Sequence, residues 1–298
     1  MFFRAGLRPA LSFEEAGADS CRRERVSHMS DSRDSSFAEE EYMDIRLWRF
    51  TRAVEGTKAF FSCRLGGVSR PPYDSLNLGF HVGDDPGQVH RNRQLLGRAL
   101  GQKASRVTSP RQRHSADVVL LEKEMDIGSG SRMSAANPFD PCDAMVTRLK
   151  SAPLLLQFAD CVPVVLCAEA ERGPVVAVAH AGRRSLVGGV VTNTVKAMAG
   201  TGADPSSVTA ALGPAVKPCC YRVDAGTAAE FRCRFGDAAV DGGSIDLKYG
   251  VVADLAGAGV DEGRVHNLDI CTCCDGDFFS YRRDGPATGR QGAMAWIG

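Results

Sequence analysis

The sequence has no excess of either charge: 36 Lys and Arg stand against 36 Asp and Glu, a formal net charge of zero. A chain that binds nucleic acid or an anionic membrane surface gathers basic residues on some stretch, so neither partner is expected. No apolar run approaches the ~18 residues of a membrane span. No secretory leader is evident, because Glu14 and Glu15 interrupt the weak apolar stretch after Arg4 and Arg8. The 11 cysteines, an odd number, therefore read as mostly reduced thiols of a cytoplasmic protein, not as a disulfide framework. A Walker loop and a G-x-G-x-x-G turn are absent. The H-x-E and P-C-x-x-C signature of base deaminases is absent too: Ser115-Ala116 follows His114, and Pro218-Cys219-Cys220-Tyr221 has the wrong spacing.

What remains is 298 residues, 44% of them hydrophobic, enough for one large core. Residues 1–43 are rich in Ser, Asp, Glu and Arg and show no periodicity, so a disordered tail is predicted there, ahead of one catalytic domain over 44–298. Strands are predicted at 59–63, 117–121, 153–158, 162–167, 175–179, 208–212 and 293–297. Helices are predicted over roughly 88–100, 224–235 and 246–258, with another following His180-Ala181-Gly182 and carrying Val187, Val190, Thr194 and Met198 at helical spacing. The Gly- and Ser-rich stretch 128–136 reads as a loop. The unbroken apolar runs from Pro153 to Ala179 are typical of strands covered on both faces. The expected fold class is α/β, a single domain of mixed sheets flanked by helices in α/β/β/α layers.

Three residues stand where strands end. His114 precedes the strand 117–121, Cys161 separates two apolar runs, and His180 joins a buried strand to a helix start. Rigid sheets commonly present reactive groups at such positions. A cysteine between apolar strands is usually a small core residue, and His114 beside charges is compatible with a solvated surface. His180 is harder to explain by packing, since it emerges from Val175-Val176-Ala177-Val178-Ala179 straight into a small-residue turn. Together the three suit zinc, whose preferred ligands are imidazole and thiolate, and three protein ligands leave a fourth position open. Among the other histidines, His28 lies in the tail, His90 reads as solvated and His266 as structural, while His81 is ambiguous. Cys271-Thr272-Cys273-Cys274 lacks a second dithiol at ribbon spacing, and Cys219-Cys220 does not supply one in sequence, so no structural metal is expected there.

Several motifs, in order, add a resemblance. They are Arg64-Leu65-Gly66-Gly67, Ser75-Leu76-Asn77-Leu78-Gly79, Gln112-x-His114, Ala159-Asp160-Cys161-Val162-Pro163 and His180-Ala181-Gly182-x-Arg184. Gly213-Pro214 leading to Cys219-Cys220-Tyr221, Phe278-Phe279-Ser280-Tyr281-Arg282-Arg283-Asp284 and Thr288-Gly289-Arg290-Gln291 complete the set. From about Phe60 to the C-terminus the chain resembles the multicopper polyphenol oxidoreductase, or laccase-domain, family. Its members are also described as purine nucleoside phosphorylases with adenosine deaminase activity and, in bacteria, as peptidoglycan editing factors. The resemblance implies that His114, Cys161 and His180 are zinc ligands and catalytic residues, and that Arg64 and Asn77 contact substrate. Ser115 stands at a family Gly, Arg183 at a Trp and Ser185 at a Gly, which bears on substrate preference more than on metal binding.

The expected function is a zinc-dependent purine nucleoside phosphorylase with adenosine deaminase activity, acting on adenosine, inosine or methylthioadenosine with phosphate as co-substrate. The alternative is a Cys–His hydrolase or amidase editing peptidoglycan precursors, with Cys161 as nucleophile and His180 as base. Copper also accepts two His and one Cys. A polyphenol oxidase is disfavoured, because six histidines without an H-x-H pair cannot build an oxygen-reducing copper cluster. A non-catalytic binding module is disfavoured by the open metal position.

Overall fold

The computed structural model describes residues 35–131 and 141–298. Thirteen strands follow in chain order. The first seven are β1 (Phe37–Tyr42), β2 (Ile45–Phe50), β3 (Thr57–Ser62), β4 (Val118–Leu121), β5 (Ala144–Thr147), β6 (Leu154–Phe158) and β7 (Val162–Ala168). The others are β8 (Val175–Ala181), β9 (Thr209–Leu212), β10 (Val240–Asp241), β11 (Ser244–Ile245), β12 (Val265–Asn267) and β13 (Gln291–Ile297). The α-helices are α1 (Pro86–Ala99), α2 (Arg183–Val187), α3 (Val190–Gly200), α4 (Ala225–Phe235), α5 (Leu247–Gly257) and α6 (Tyr281–Asp284).

Two large sheets organise the chain, one in the order β1-β2-β3-β13-β6 and the other in the order β12-β9-β7-β8-β5-β4; β10 and β11 pair alone. The second is mixed: β7 runs antiparallel to β8 and β9, whereas β4 is parallel to β5 and β12 to β9. Side-chain alternation, with its period of two, sorts the core into three layers. On β6, Leu154, Leu156 and Phe158 face the second sheet, where Val165 and Cys167 of β7 and Val176 and Val178 of β8 meet them. The intervening residues of β7 and β8, Val164, Leu166, Ala177 and Ala179, pack under Val190 and Val195 of α3 and Val251 and Leu255 of α5. On the far side of the first sheet, Phe60, Leu155, Met294 and Trp296 cover Leu96 of α1. The layers are thus α/β/β/α, and strands covered on both sides account for the unbroken apolar runs.

Two features differ from the sequence-based expectations, and a third lies partly outside the described residues. Phe37–Tyr42, expected to lie within a tail over 1–43, instead pairs with Ile45–Phe50 in an antiparallel hairpin that places Phe37 opposite Phe50. Its turn is Met43-Asp44, both with positive φ (50° and 66°), and residues 1–34 lie outside the described residues. The charged run Glu39-Glu40-Glu41 conceals this strand because an edge strand needs only one covered face. The helix expected after Gly182 is two helices, broken at Gly188-Gly189, where Gly189 takes φ 89°. The loop expected over 128–136 falls partly outside the described residues, and Gly128 and Gly130 within it both have positive φ.

Candidate active site

The inter-sheet layer positions the three expected residues. His180 shares the face of β8 that carries Val176 and Val178, and is 4% exposed. Phe158, at the end of β6, packs edge-on against its ring at 5.3 Å between centroids. Cys161 sits in the short connection from β6 to β7, and His114 in the loop before β4. The ligand atoms of His114, Cys161 and His180 all lie within 4.8 Å of one another, and the Cys161 Sγ to His114 Nε2 distance is 3.8 Å. The residues span 67 positions of sequence yet reach one point, because β7, β8, β5 and β4 are consecutive in the second sheet, with His114 leading into β4, Cys161 into β7 and His180 on β8.

Two buried carboxylates hold this geometry. Asp143, at the entry to β5, accepts hydrogen bonds at Oδ1 from His180 Nδ1 at 2.7 Å and from the backbone N–H of His114 at 2.9 Å. Its Oδ2 accepts from the backbone N–H groups of Arg113 at 3.1 Å and Ser115 at 2.7 Å, and from the Ser115 hydroxyl. One carboxylate thus fixes the His180 ring, leaving Nε2 to face the cluster, and the left-handed backbone (φ 61°) of His114. Ser115 is part of this cradle. Asp160 has φ 86°, a conformation that costs a non-glycine residue about 1–2 kcal/mol. Its carboxylate accepts hydrogen bonds from the hydroxyls of Thr272 and Ser280, both at 2.7 Å, and from the Arg282 N–H at 2.6 Å. Those contacts aim the next residue, Cys161. Gln112 anchors the His114 loop to β6, exchanging hydrogen bonds with the Gln157 backbone at 2.8 and 2.9 Å.

Gly182 is required by space. A Cβ there would lie 2.7 Å from Cys161 Sγ and 2.9 Å from His114 Cδ2. The neighbouring Ser185 is buried and donates its hydroxyl to the His180 carbonyl at 2.7 Å, closing the turn. Arg183 pairs with Glu230 of α4 at 2.9 Å.

Burial raises the Cys161 thiol, but the His180 charge and hydrogen bonds from His114 and His180 outweigh it and bring the thiol down to about 6. Burial opposes protonation of His180, yet Cys161 and Asp143 raise it to about 9. Burial also disfavours the Asp143 carboxylate, and the His180 contacts reverse this, holding it at about 2. The first two shifts run in the direction that favours a thiolate on Cys161 and a charged ring on His180, with Asp143 behind it.

The cluster opens into a cavity of about 540 Å³, lined also by His81, Gln112, Gln157, Arg184, Tyr221, Tyr281, Arg282 and Arg290. His81, exposed at the cavity, is pushed down to about 4 by the desolvation of the site and then by the charges of Arg290, Arg93 and Arg111. Its role was not legible in the sequence, where a turn-prone neighbourhood masked it. Arg64 and Asn77, expected to contact substrate, are not among the lining residues. Arg64 is committed to Asp74, whose carbonyl accepts its Nε–H at 2.6 Å and whose carboxylate it pairs with at 3.0 Å, and it stacks over Phe279. Asn77 is fully buried and accepts the backbone N–H groups of Gly79 and Arg290, both at 2.9 Å. It thereby positions Arg290, which does line the cavity. The other histidines lie elsewhere: His266 bonds Ser36 Oγ at 2.8 Å, as expected of a structural residue, and His90 bonds Gln94 at 3.1 Å.

The family model for multi-copper polyphenol oxidoreductase laccase matches residues 58–298. A Streptomyces coelicolor protein named purine nucleoside phosphorylase is 42% identical over 248 residues, 82% of this chain and 97% of that protein. The purine nucleoside phosphorylase YfiH of Escherichia coli is 36% identical over 254 residues, 82% of this chain and 95% of that protein. Among solved structures, the hypothetical protein YfiH of Bacillus licheniformis matches with a TM-score of 0.80 and 28% identity, covering 89% of this chain and 100% of its own. YlmD of Geobacillus stearothermophilus matches with a TM-score of 0.78 and 32% identity, covering 88% of this chain and 98% of its own. Among the described residues no helix is long and apolar enough to cross a membrane.

Proposed function

The chain belongs to the multi-copper polyphenol oxidoreductase laccase family, and we propose that it is a zinc-dependent purine nucleoside phosphorylase with adenosine deaminase activity. The observation that carries the reading is the convergence of His114, Cys161 and His180 at the wall of a cavity that also holds three arginines. Its volume, about 540 Å³, falls within the roughly 300–1,000 Å³ of small-molecule sites.

The residues fit the ion. Two imidazoles and a thiolate are zinc's preferred donors, three protein ligands would leave a fourth position open, and the Asp143–His180 contact is the outer-shell carboxylate such ligands commonly carry. Gly182 leaves room where a side chain would fill the cradle. Copper is the alternative ion for the same donor set. When bound, the metal supplies Lewis acidity beside the substrate.

In phosphorolysis a phosphate oxygen attacks C1′ of the ribose, the C1′–N9 bond breaks, and the electron pair leaves with the purine, which takes up a proton. Arg184, Arg282 and Arg290 offer the cationic wall on which a phosphate and the departing charge are held. Tyr221 and Tyr281 offer aromatic faces for the base. His81, neutral at pH 7, contributes a hydrogen bond to the substrate and no charge. Arg183 pairs with Glu230 and is not among the residues that line this wall, although its charge reaches Tyr221. Adenosine, inosine and methylthioadenosine are the candidate substrates, and deamination replaces the adenosine 6-amino group with the oxygen of water, releasing ammonia.

A Cys–His hydrolase acting on peptidoglycan precursors is the second reading, favoured by the depressed Cys161 thiol beside a charged His180. The assay that separates them offers adenosine with phosphate, and separately a muramyl-peptide precursor, each with and without chelator. The first reading predicts adenine plus ribose 1-phosphate, lost on chelation. Chelator-resistant precursor cleavage without nucleoside turnover would replace it by the second.

A further inference from the structure

A second group of sulfurs lies outside the catalytic cluster. The Sγ atoms of Cys219, Cys220, Cys271 and Cys274 are all within 4.8 Å of one another. Cys219 stands 3.8 Å from each of the other three, and Cys220 stands 3.2 Å from Cys274. Four thiolates at about 2.3 Å from a central ion form a tetrahedron whose edges are about 3.8 Å. The observed spacing is therefore that of a mononuclear tetrathiolate site. A two-iron cluster would spread two sulfur pairs to opposite ends, which the common 4.8 Å limit does not allow.

We propose that Cys219, Cys220, Cys271 and Cys274 form a second, structural zinc site, distinct from the catalytic cluster and completed when Cys274 is reduced. Cys274 is disulfide-bonded in this structure, whereas Cys219, Cys220 and Cys271 are thiols. A dithiol reductant supplies two electrons and two protons to that disulfide, releases Cys274 as a thiol, and itself becomes a disulfide. Zinc then binds four thiolates as their protons leave to solvent.

The surroundings suit a thiolate metal site. Backbone N–H groups of Lys217 and Cys274 hydrogen-bond the Cys271 sulfur. Lys217, paired with Asp269 at 2.7 Å, brings a positive charge near Cys219 and Cys271. Oriented N–H groups and a nearby cation offset the charge that four thiolates leave on a divalent ion.

The site ties together two segments that carry the catalytic wall. Ala215 bridges Cys271 between them, and Thr272, beside Cys271, donates to the Asp160 carboxylate that aims Cys161. Arg282, which lines the cavity, donates to the Cys220 carbonyl at 3.1 Å. Zinc here would hold the wall in place without touching substrate.

The test uses the full chain carrying Cys161→Ala, which removes the catalytic cluster as a competitor. After reduction by a dithiol and buffer exchange, cobalt titration should show uptake of one equivalent with intense thiolate-to-cobalt absorption, displaced by zinc. Without reduction uptake should be weaker, and the additional change Cys220→Ser should abolish it, whereas Cys233→Ser, at an exposed distant thiol, should leave it intact. No uptake by the reduced Cys161→Ala protein overturns the proposal, as does uptake indifferent to Cys220→Ser or to reduction. The wild-type protein separates this from the catalytic reading: two equivalents are expected, and loss of either site leaves one. If Cys220→Ser fails to fold, the uptake and spectrum of the Cys161→Ala protein decide alone.

Discussion

Replacing Asp143 by Asn isolates the part of the site that no ligand supplies. The carboxylate accepts five hydrogen bonds: His180 Nδ1 and the His114 N–H on one oxygen, and the Arg113 N–H, the Ser115 N–H and the Ser115 hydroxyl on the other. A carboxamide keeps one acceptor oxygen, so its NH₂ must face donors at the other. Hydrogen bonds to a charged group are each worth about 1.5–3 kcal/mol. Losing two of them, with partial relaxation, should cost about 3 kcal/mol. At about 2–4 °C per kcal/mol for a domain of this size, the melting temperature should fall by about 6–12 °C. Loss of the carboxylate partner of His180 should also weaken metal affinity by about 10–100-fold. Differential scanning calorimetry and competition with a chelating dye read the two effects separately. An Asp143→Asn protein with wild-type melting and wild-type metal affinity would refute the positioning argument.

Gly182→Ala places a methyl against Cys161 Sγ and His114 Cδ2 with an unstrained backbone, so it should lower nucleoside turnover by about 100-fold, and unaltered kinetics would contradict the crowding. Starting the chain at Met43 removes β1 and the packing of Phe37 on Phe50 and Phe61, at 5.5 and 6.2 Å between ring centroids. That truncation should lower thermal stability by about 1–3 kcal/mol, read by thermal unfolding. Burial lowers the ammonium of Lys248 from its ordinary 10.5 to about 8. Between those values the unfolded chain binds the additional proton, so this group makes stability rise with pH there and contributes no slope well below 8. Urea titrations across that window should show the rise in the wild type and a flatter profile in Lys248→Met.

The candidate ligands were singled out because each stands at a strand end; packing gave no reason for His180, whereas Cys161 and His114 gained meaning only together with it. The layered fold was legible because runs such as Val162–Ala168 are apolar at every position, which only strands covered on both faces require. Asp143 was not legible. It stands one residue before β5, in a short strand with no predicted counterpart, and its meaning lies in a contact with His180, 37 positions away. The cysteine cluster was hidden similarly, since Cys219 and Cys271 meet only through the pairing of Ala215 with Cys271. Arg64 and Asn77 show how far a motif reaches: in this structure Arg64 binds Asp74 and Asn77 holds the backbone of Gly79 and Arg290, a task the motif alone does not distinguish from substrate contact.

The central claim is that nucleoside chemistry depends on a metal held by His114, Cys161 and His180. The most direct measurement strips the reduced protein with chelator, returns zinc in steps, and follows phosphate-dependent release of adenine from adenosine together with bound metal. The account predicts no turnover in the stripped protein, recovery that tracks filling of the catalytic site, and none at any zinc level in Cys161→Ala. Full turnover in stripped protein, or recovery in Cys161→Ala equal to wild type, would contradict it.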